Sequence, residues 1–199
     1  MRFEEEEKPD DKKPDAAPQQ PVIGQALFKA RTILLFGEID QKSAERTIAQ
    51  LLALDAESKD PIRLLLSSPG GHVESGDAIH DVIRFVSAPV KMIGTGWVAS
   101  AGAHIFLAAT RENRFCLRNT RFLLHQPWGG VGGMASDISI EAKEMIKMRE
   151  RLNRVIARET GQPLERIIKD TDRNFWMAAD EARDYGLVTH IIDRAAEVV

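Results

Sequence analysis

Three short apolar runs alternate with two helical patterns, and that alternation confines the chain to one class of architecture. The runs are Thr32-Ile-Leu-Leu-Phe-Gly37, Ile62-Arg-Leu-Leu-Leu-Ser67 and Val90-Lys-Met-Ile-Gly94. Between the first two, Ala44, Ile48, Leu51 and Leu52 recur at helical spacing from Ser43 to Ala56, and Asp60-Pro61 ends the segment. Between the second and third, Ala78, Ile79, Val82, Ile83 and Val86 share one face until Pro89 stops it. Strands joined through single helices form right-handed crossovers, so the expectation is an α/β domain of parallel strands covered by helices. The first run is too continuously apolar for a one-sided strand and is expected to be buried. A helix from Ser100, a strand around Arg121–Leu124, helices over Leu164–Thr171 and Ala179–Tyr185, and a last strand over Leu187–Ile192 continue the alternation.

One segment departs from this rhythm. Ser136 to Arg158 carries Ile138, Ala142, Met145, Leu152 and Ile156 in a single stripe, supported by Glu150 and Arg154 at i,i+4, with Gly161 as its stop. Such a helix is longer than packing requires in a chain of 199 residues, so a core helix and a subunit contact both fit the pattern. Residues 1–21 are acidic and proline-rich and are expected to be disordered, leaving 22–199 as one domain. The N-terminus has no apolar core of a signal peptide, and no apolar run approaches the roughly 20 residues a spanning helix needs. No membrane partner and a cytoplasmic location are the expectations. A net charge of -3 with dispersed cations makes nucleic acid a poor partner. The single Cys116, inside Phe115-Cys-Leu117, reads as a small buried hydrophobe.

The residues that carry chemistry follow strand ends, where open α/β sheets gather their sites. In Gly94-Thr-Gly-Trp-Val-Ala-Ser100-Ala-Gly-Ala-His104, a small-residue turn sets Ser100 at the mouth of an apolar helix. A serine there is most often an N-cap, but Ala99, Ala101 and Gly102 also leave room for a substrate carbonyl, with the Ala101 N–H at the positive helix end. Ser68-Pro-Gly-Gly71 is either an ordinary tight turn or a place where the backbone approaches a ligand and Gly71 donates a second N–H. His125 ends an apolar strand before Gln-Pro-Trp-Gly-Gly. His104 lies i+4 from Ser100, so a local Ser-His pair is compatible with spacing, although its apolar neighbours favour a core or interface role. Candidates for a third member cluster in Lys169-Asp170-Thr-Asp172-Arg-Asn174-Phe-Trp176, a charge run that is ordinarily solvated surface. No His, Cys and carboxylate set has zinc spacing, and no metal is expected.

Ser68-Pro-Gly-Gly71, the Ala99-Ser100-Ala-Gly102-Ala turn, Phe115-Cys-Leu117, His125-Gln-Pro with its glycines, and Tyr185-Gly-Leu-Val188 together closely resemble the ClpP family, the proteolytic subunits of ATP-dependent Clp proteases. The resemblance runs from about Leu27 to Ile192, with the spacing between the Ser and His motifs preserved. It implies the ClpP/crotonase-like spiral of ββα units with a protruding handle helix, and a serine endopeptidase that cleaves unfolded polypeptides. Ser100 and His125 match the family's nucleophile and general base, and the backbone N–H groups of Gly71 and Ala101 match its oxyanion-hole donors. The long helix and the Gly129–Gly133 segment resemble the handle that joins two heptameric rings into a chamber. Arg173 and Asp172 match the inter-ring contact. The resemblance further implies no cofactor, ATP being used only by a hexameric AAA+ unfoldase of the ClpX or ClpA type.

Three positions depart from the family pattern. The third triad member, usually Asp, falls on Asn174, whose amide oxygen can orient His125 but brings no charge to steady an imidazolium. The segment Gln25-Ala-Leu-Phe-Lys matches the axial loop and first helix poorly, and Arg63 stands where an aromatic residue usually lines the ATPase-docking pocket beside Leu65 and Phe85. Alternatives are a weakly active or inactive ClpP paralogue serving as a structural or regulatory ring subunit with another, active ClpP, and a crotonase-type acyl-CoA enzyme, which shares the spiral without needing the Ser-His pair.

Overall fold

A computed structural model describes residues 19–130 and 132–198. In chain order the elements are α1 (Gln19–Lys29), β1 (Thr32–Phe36), α2 (Gln41–Glu57), β2 (Ile62–Ser68), α3 (Val73–Phe85), β3 (Val90–Ala99), α4 (Ala101–Phe106), β4 (Arg114–Leu117), β5 (Arg121–Leu124), α5 (Ala135–Thr160), α6 (Leu164–Asp170), β6 (Phe175–Ala178), α7 (Ala179–Tyr185) and β7 (His190–Ile192). Residues 1–18 of the expected tail lie outside the described residues. Residues 19–21 form the first turn of α1, where Pro21 forfeits no bond because the first amides of a helix have no intrahelical acceptor.

The sheet order is β1-β2-β3-β4-β7, all parallel, as the alternating pattern predicts. β3 is the branch point. It is longer than its sequence suggests, because Gly94-Thr-Gly-Trp-Val-Ala99 continues the strand where a turn was expected. Met92–Gly94 pairs with β4, whereas Trp97–Ala99 pairs with β5, and a bulge opposite Leu66–Ser68 with Gly96 at φ +60 makes the switch. β5 then pairs antiparallel with β6, the one departure from the parallel pattern. β6 begins at the last two residues of the run expected to be charged surface, Phe175 and Trp176; its alternation of half-buried Phe175 and buried Met177 with exposed Trp176 and Ala178 is that of an edge strand.

Ile33, Leu35, Ile62, Leu64 and Leu66 from β1 and β2 pack with Leu51 and Leu54 of α2 and Ile79 and Ile83 of α3 in one core. β1 is not buried on both faces as expected: Leu34 is 41 % and Phe36 50 % exposed. Among the described residues no element covers its second apolar face. Cys116 is buried, and burial pushes its thiol up to about 12, so it packs as a hydrophobe.

The apolar stripe of α5 is divided between two environments. Toward its C-terminal end Asn153, Ile156 and Thr160 are buried, while Met134, Ile138, Ile140 and Ile146 remain exposed at and beyond the N-terminal end. Arg114, fully buried, anchors the base. Its guanidinium donates to the carbonyls of Leu107, Ala109 and Glu159 and to the Glu159 carboxylate at 2.5 Å. Removing Arg114 orphans the buried Leu107 and Ala109 carbonyls and takes from Glu159 the shortest of its three arginine contacts, those of Arg84 and Arg158 remaining, so Arg114→Leu is expected to lower stability by about 3–5 kcal/mol in urea denaturation. A loss below about 1 kcal/mol would mean that the helix base is held by apolar packing alone.

Candidate active site

Ser100 sits where β3 ends and α4 begins, the N-cap position, but it does not act as a cap. Its backbone lies at φ 55, ψ -120 and its side chain makes no capping bond. An N-cap serine ordinarily has extended backbone and accepts from the second or third helical amide, so the capping explanation fails. The turn is held by backbone contacts: Ser100 N–H donates to Leu123 C=O at 2.9 Å, and His104 N–H donates to Ser100 C=O at 3.1 Å. Oγ is left free at the rim of a cleft lined by Val73, Ala101, Leu124, His125, Pro127 and Leu152.

Gly70 and Gly71 are required by close approach. A Cβ on Gly70 (φ +100) would fall 2.6 Å from Ser100 Cβ, and one on Gly71 (φ +146) would fall 2.2 Å from Ile39 O. Any side chain at either position would displace the turn. Ile39 N–H donates to Gly70 C=O and His72 N–H to Ile39 C=O, both within an isolated parallel bridge. In that pattern the Gly71 N–H points away from Ile39. The Ala101 N–H, first of α4, has no intrahelical acceptor. The Ala101 amide thus follows Ser100 directly and the Gly71 amide follows the glycine packed against Ser100, both without a partner among the described residues, and the Ser68-Pro-Gly-Gly71 turn is fixed by Gly70 N–H donating to the buried Ser68 Oγ at 3.0 Å.

His125 follows β5 and is half-buried on the wall of the same cleft. Extending the β5–β6 register beyond Leu124 and Phe175 sets His125 opposite Asn174, and both line a second hollow with Met145, Asp172 and Arg173. Among the described residues, no hydrogen bond joins the His125 ring to Ser100 Oγ or to the Asn174 amide. The loop before β6 is organised instead by Gln126, a residue not singled out in the sequence. Its N–H donates to Thr171 C=O at 2.7 Å, its side-chain amide donates to Asp172 C=O at 2.8 Å, and its Oε1 accepts from Arg149 at 3.2 Å. Only its place beside His125 could have signalled it. Arg173 is exposed and donates to the Asp172 carbonyl, with no ion pair among the described residues.

His104, the competing histidine, is committed elsewhere. It is buried, stacks on His80 with ring centroids 4.3 Å apart, and lies 2.9 Å from Asp77 Oδ1 through Nε2. No group of His, Cys, Asp and Glu able to hold a metal occurs among the described residues. None of their helices is long and apolar enough to cross a membrane.

Comparison with known proteins fits this geometry. The family model described as Clp protease matches residues 17–195. The chain belongs to the Clp protease family. ATP-dependent Clp protease proteolytic subunit 3 of Rhizobium etli is 60% identical over 172 residues, covering 86% of this chain and 89% of that protein. Proteolytic subunit 2 of Gluconobacter oxydans is 58% identical across 98% of this chain and 88% of that protein. Among solved structures, ClpP1 from Listeria monocytogenes matches with a TM-score of 0.81 at 53% identity, covering 89% of this chain and 99% of its own. An Asn-to-Asp variant of that ClpP1 matches at 0.84 with the same identity and coverage. The fold is thus the ClpP spiral, and the chain is a Clp peptidase subunit; neither the acyl-CoA alternative nor a purely structural ring role is needed.

The His80–His104 stack predicts that acid lowers the stability of this Clp subunit. Burial, followed by the neighbouring His104 ring and in smaller part Arg84, pushes the His80 imidazole down to about 4, against the hydrogen bond to the His104 carbonyl and the Asp81 charge, which raise it. Its folded pKa lies below the unfolded value, so the unfolded chain binds the proton first and stability falls as pH drops from about 6.5 toward 4. The full effect is on the order of 3 kcal/mol, and His80→Phe is expected to flatten the decline of the urea midpoint over that range. Parallel slopes for the two proteins would contradict the assignment.

Proposed function

We propose that this Clp peptidase subunit cleaves unfolded polypeptides with Ser100 as nucleophile, His125 as general base and Asn174 as the group that orients His125. The observation that carries the proposal is the Ser100 turn: a strained, uncapped serine near two unspent amides, on one cleft with a histidine. Ser100 Oγ attacks the scissile carbonyl while His125 takes its proton. The developing oxyanion accepts from Gly71 N–H and Ala101 N–H; His125 then returns the proton to the leaving amine, and water resolves the acyl-enzyme. Apo catalytic hydrogen bonds often tighten only when the site engages substrate, which accommodates the open spacing of Ser100, His125 and Asn174. An amide in place of a carboxylate holds the imidazole but leaves its cation poorly stabilised, so turnover is limited by Asn174.

The assembly proposed is two stacked heptameric rings, homomeric or shared with another ClpP, joined by the exposed half of α5, the handle, and by Arg173 with Asp172. The support is the uncovered apolar set Met134, Ile138, Ile140 and Ile146. A hexameric AAA+ unfoldase would feed the chamber and alone use ATP. The proposed location is the cytoplasm.

A serine-directed phosphonate or β-lactone should label Ser100, read by intact mass. Ser100→Ala and His125→Ala should each abolish hydrolysis of a fluorogenic peptide, while His104→Ala retains more activity than His125→Ala. Labelling of another serine, or the reverse ranking of the histidines, would overturn the assignment. Asn174→Asp should raise kcat by about tenfold or more in an intact particle. Unchanged kcat would show that the missing carboxylate is not rate-limiting. Arg173→Ala should split the double ring and lower activity together in sedimentation and peptidase assays; intact, fully active double rings would leave Arg173 an ordinary surface cation.

A further inference from the structure

Helix α4 presents Ser100 and the Ala101 amide at one end, yet it has only six residues and few bonds of its own. Short helices leave their last carbonyls without intrahelical donors. In α4 the Ala108 N–H goes to Ile105 C=O, so the His104 carbonyl is left open, and His80 Nδ1 meets it at 2.9 Å. A carbonyl only accepts, so Nδ1 of His80 carries the proton. His80 thus caps the helix from α3, while its ring lies flat on the His104 ring at an interplanar angle of 6°. The His104 N–H already donates to the Ser100 carbonyl. His104 is therefore bound at both ends of its own peptide, once toward Ser100 and once toward α3.

Its side chain extends the connection. Nε2 of His104 lies 2.9 Å from Asp77 Oδ1, and Nδ1 is buried without a partner among the described residues. An unpaired buried nitrogen costs about 1–3 kcal/mol, so this histidine is not explained by packing. Asp77, on the same face of α3 as His80, is gripped in turn by Arg151 of α5 through two bonds of 2.8 and 2.6 Å. The fork is planar and bidentate, the geometry that gives an Arg-carboxylate pair directional hold. A continuous path thus runs from the handle to the nucleophile: Arg151, Asp77, His104, Ser100. Among the described residues one other ion pair joins α3 to α5, Arg84 with Glu159 near the C-terminal ends of both helices, whereas Asp77 lies in the N-terminal half of α3 and reaches His104.

We propose that Asp77 and His104 are positioning residues through which Arg151 of the handle helix sets the orientation of α4, and with it Ser100 Oγ and the Ala101 amide. The proposal rests on Ser100 being the nucleophile. It makes the catalytic turn responsive to the handle without Arg151 or Asp77 touching substrate. Asp77→Asn keeps the shape of the side chain and removes its charge; Arg151→Gln acts on an exposed guanidinium and should not impair folding.

The test is steady-state peptide hydrolysis by purified particles whose mass is verified by sedimentation, with the rate of phosphonate acylation of Ser100 measured alongside. Each single variant should lower kcat by about ten- to a hundredfold, as sub-ångström to ångström misplacement of a reacting group does, with KM within about twofold. The acylation rate should fall with kcat, the double variant should be no worse than the poorer single, and Arg151→Lys should recover part of the loss. Arg118→Gln, which removes an equally forked pair with Asp193 away from the cleft, should leave kcat unchanged. Retained kcat in the single variants, multiplied losses in the double, or loss that only follows dissociation of the particle would overturn the proposal. Phosphonate on a different serine in the unaltered protein would instead remove the reading on which it rests.

Discussion

A non-glycine residue at φ 55, ψ -120 costs on the order of 1–3 kcal/mol and persists only where its surroundings over-determine it. Ser100 is held there from two sides. β5 takes its N–H through the Leu123 carbonyl, and Gly70 packs so closely against it that no Cβ fits between them. Both contacts exist because β3 bulges and changes partner from β4 to β5, bringing the end of β3 beside the strand that leads to His125. The branching of one strand therefore determines where the serine, the histidine and the two amides meet.

The helices contribute anchorage rather than reactive groups. α3 holds α4 through His80 and Asp77, and α5 is fixed at its base by buried Arg114 and farther along by Arg151. The rest of α5 leaves apolar side chains in solvent, as do Leu34 and Phe36 of β1. Scattered exposed apolar residues need no explanation, but grouped ones on a projecting helix and on an outward sheet face mark contact surfaces. The single chain is a complete fold with an incomplete surface.

Much of this was legible in the sequence, for identifiable reasons. Long, strongly periodic segments such as α2 and α3 declare themselves because packing repeats every turn, and Pro61 and Pro89 mark the strand starts. β4 is not legible as a strand because its apolar run is only Phe115-Cys-Leu117 between two arginines, and β6 because it follows directly on a charged loop. The run from Gly94 to Ala99 looked like a turn because its glycines serve a bulge, which composition does not separate from a break. The apolar run of β1 implies burial on both faces, yet Leu34 and Phe36 are exposed, since an apolar run by itself does not tell whether a helix covers each face. At the site, Ser100, Gly71 and His125 stood out by motif. Asn174 follows from the family resemblance, to which the β5–β6 register adds its place opposite His125, and the Asp77–His104 contact required knowing that α3 and α4 face each other.

The central claim is geometric: Ser100 Oγ, the Gly71 N–H and the Ala101 N–H converge on one reacting atom. Determining the structure of the purified particle after phosphonate labelling tests it directly. The account predicts phosphorus bonded to Ser100 Oγ, with one phosphonyl oxygen within about 3 Å of both amide nitrogens. A label on Ser100 whose oxygens face solvent, with those amides bonded elsewhere, would contradict it.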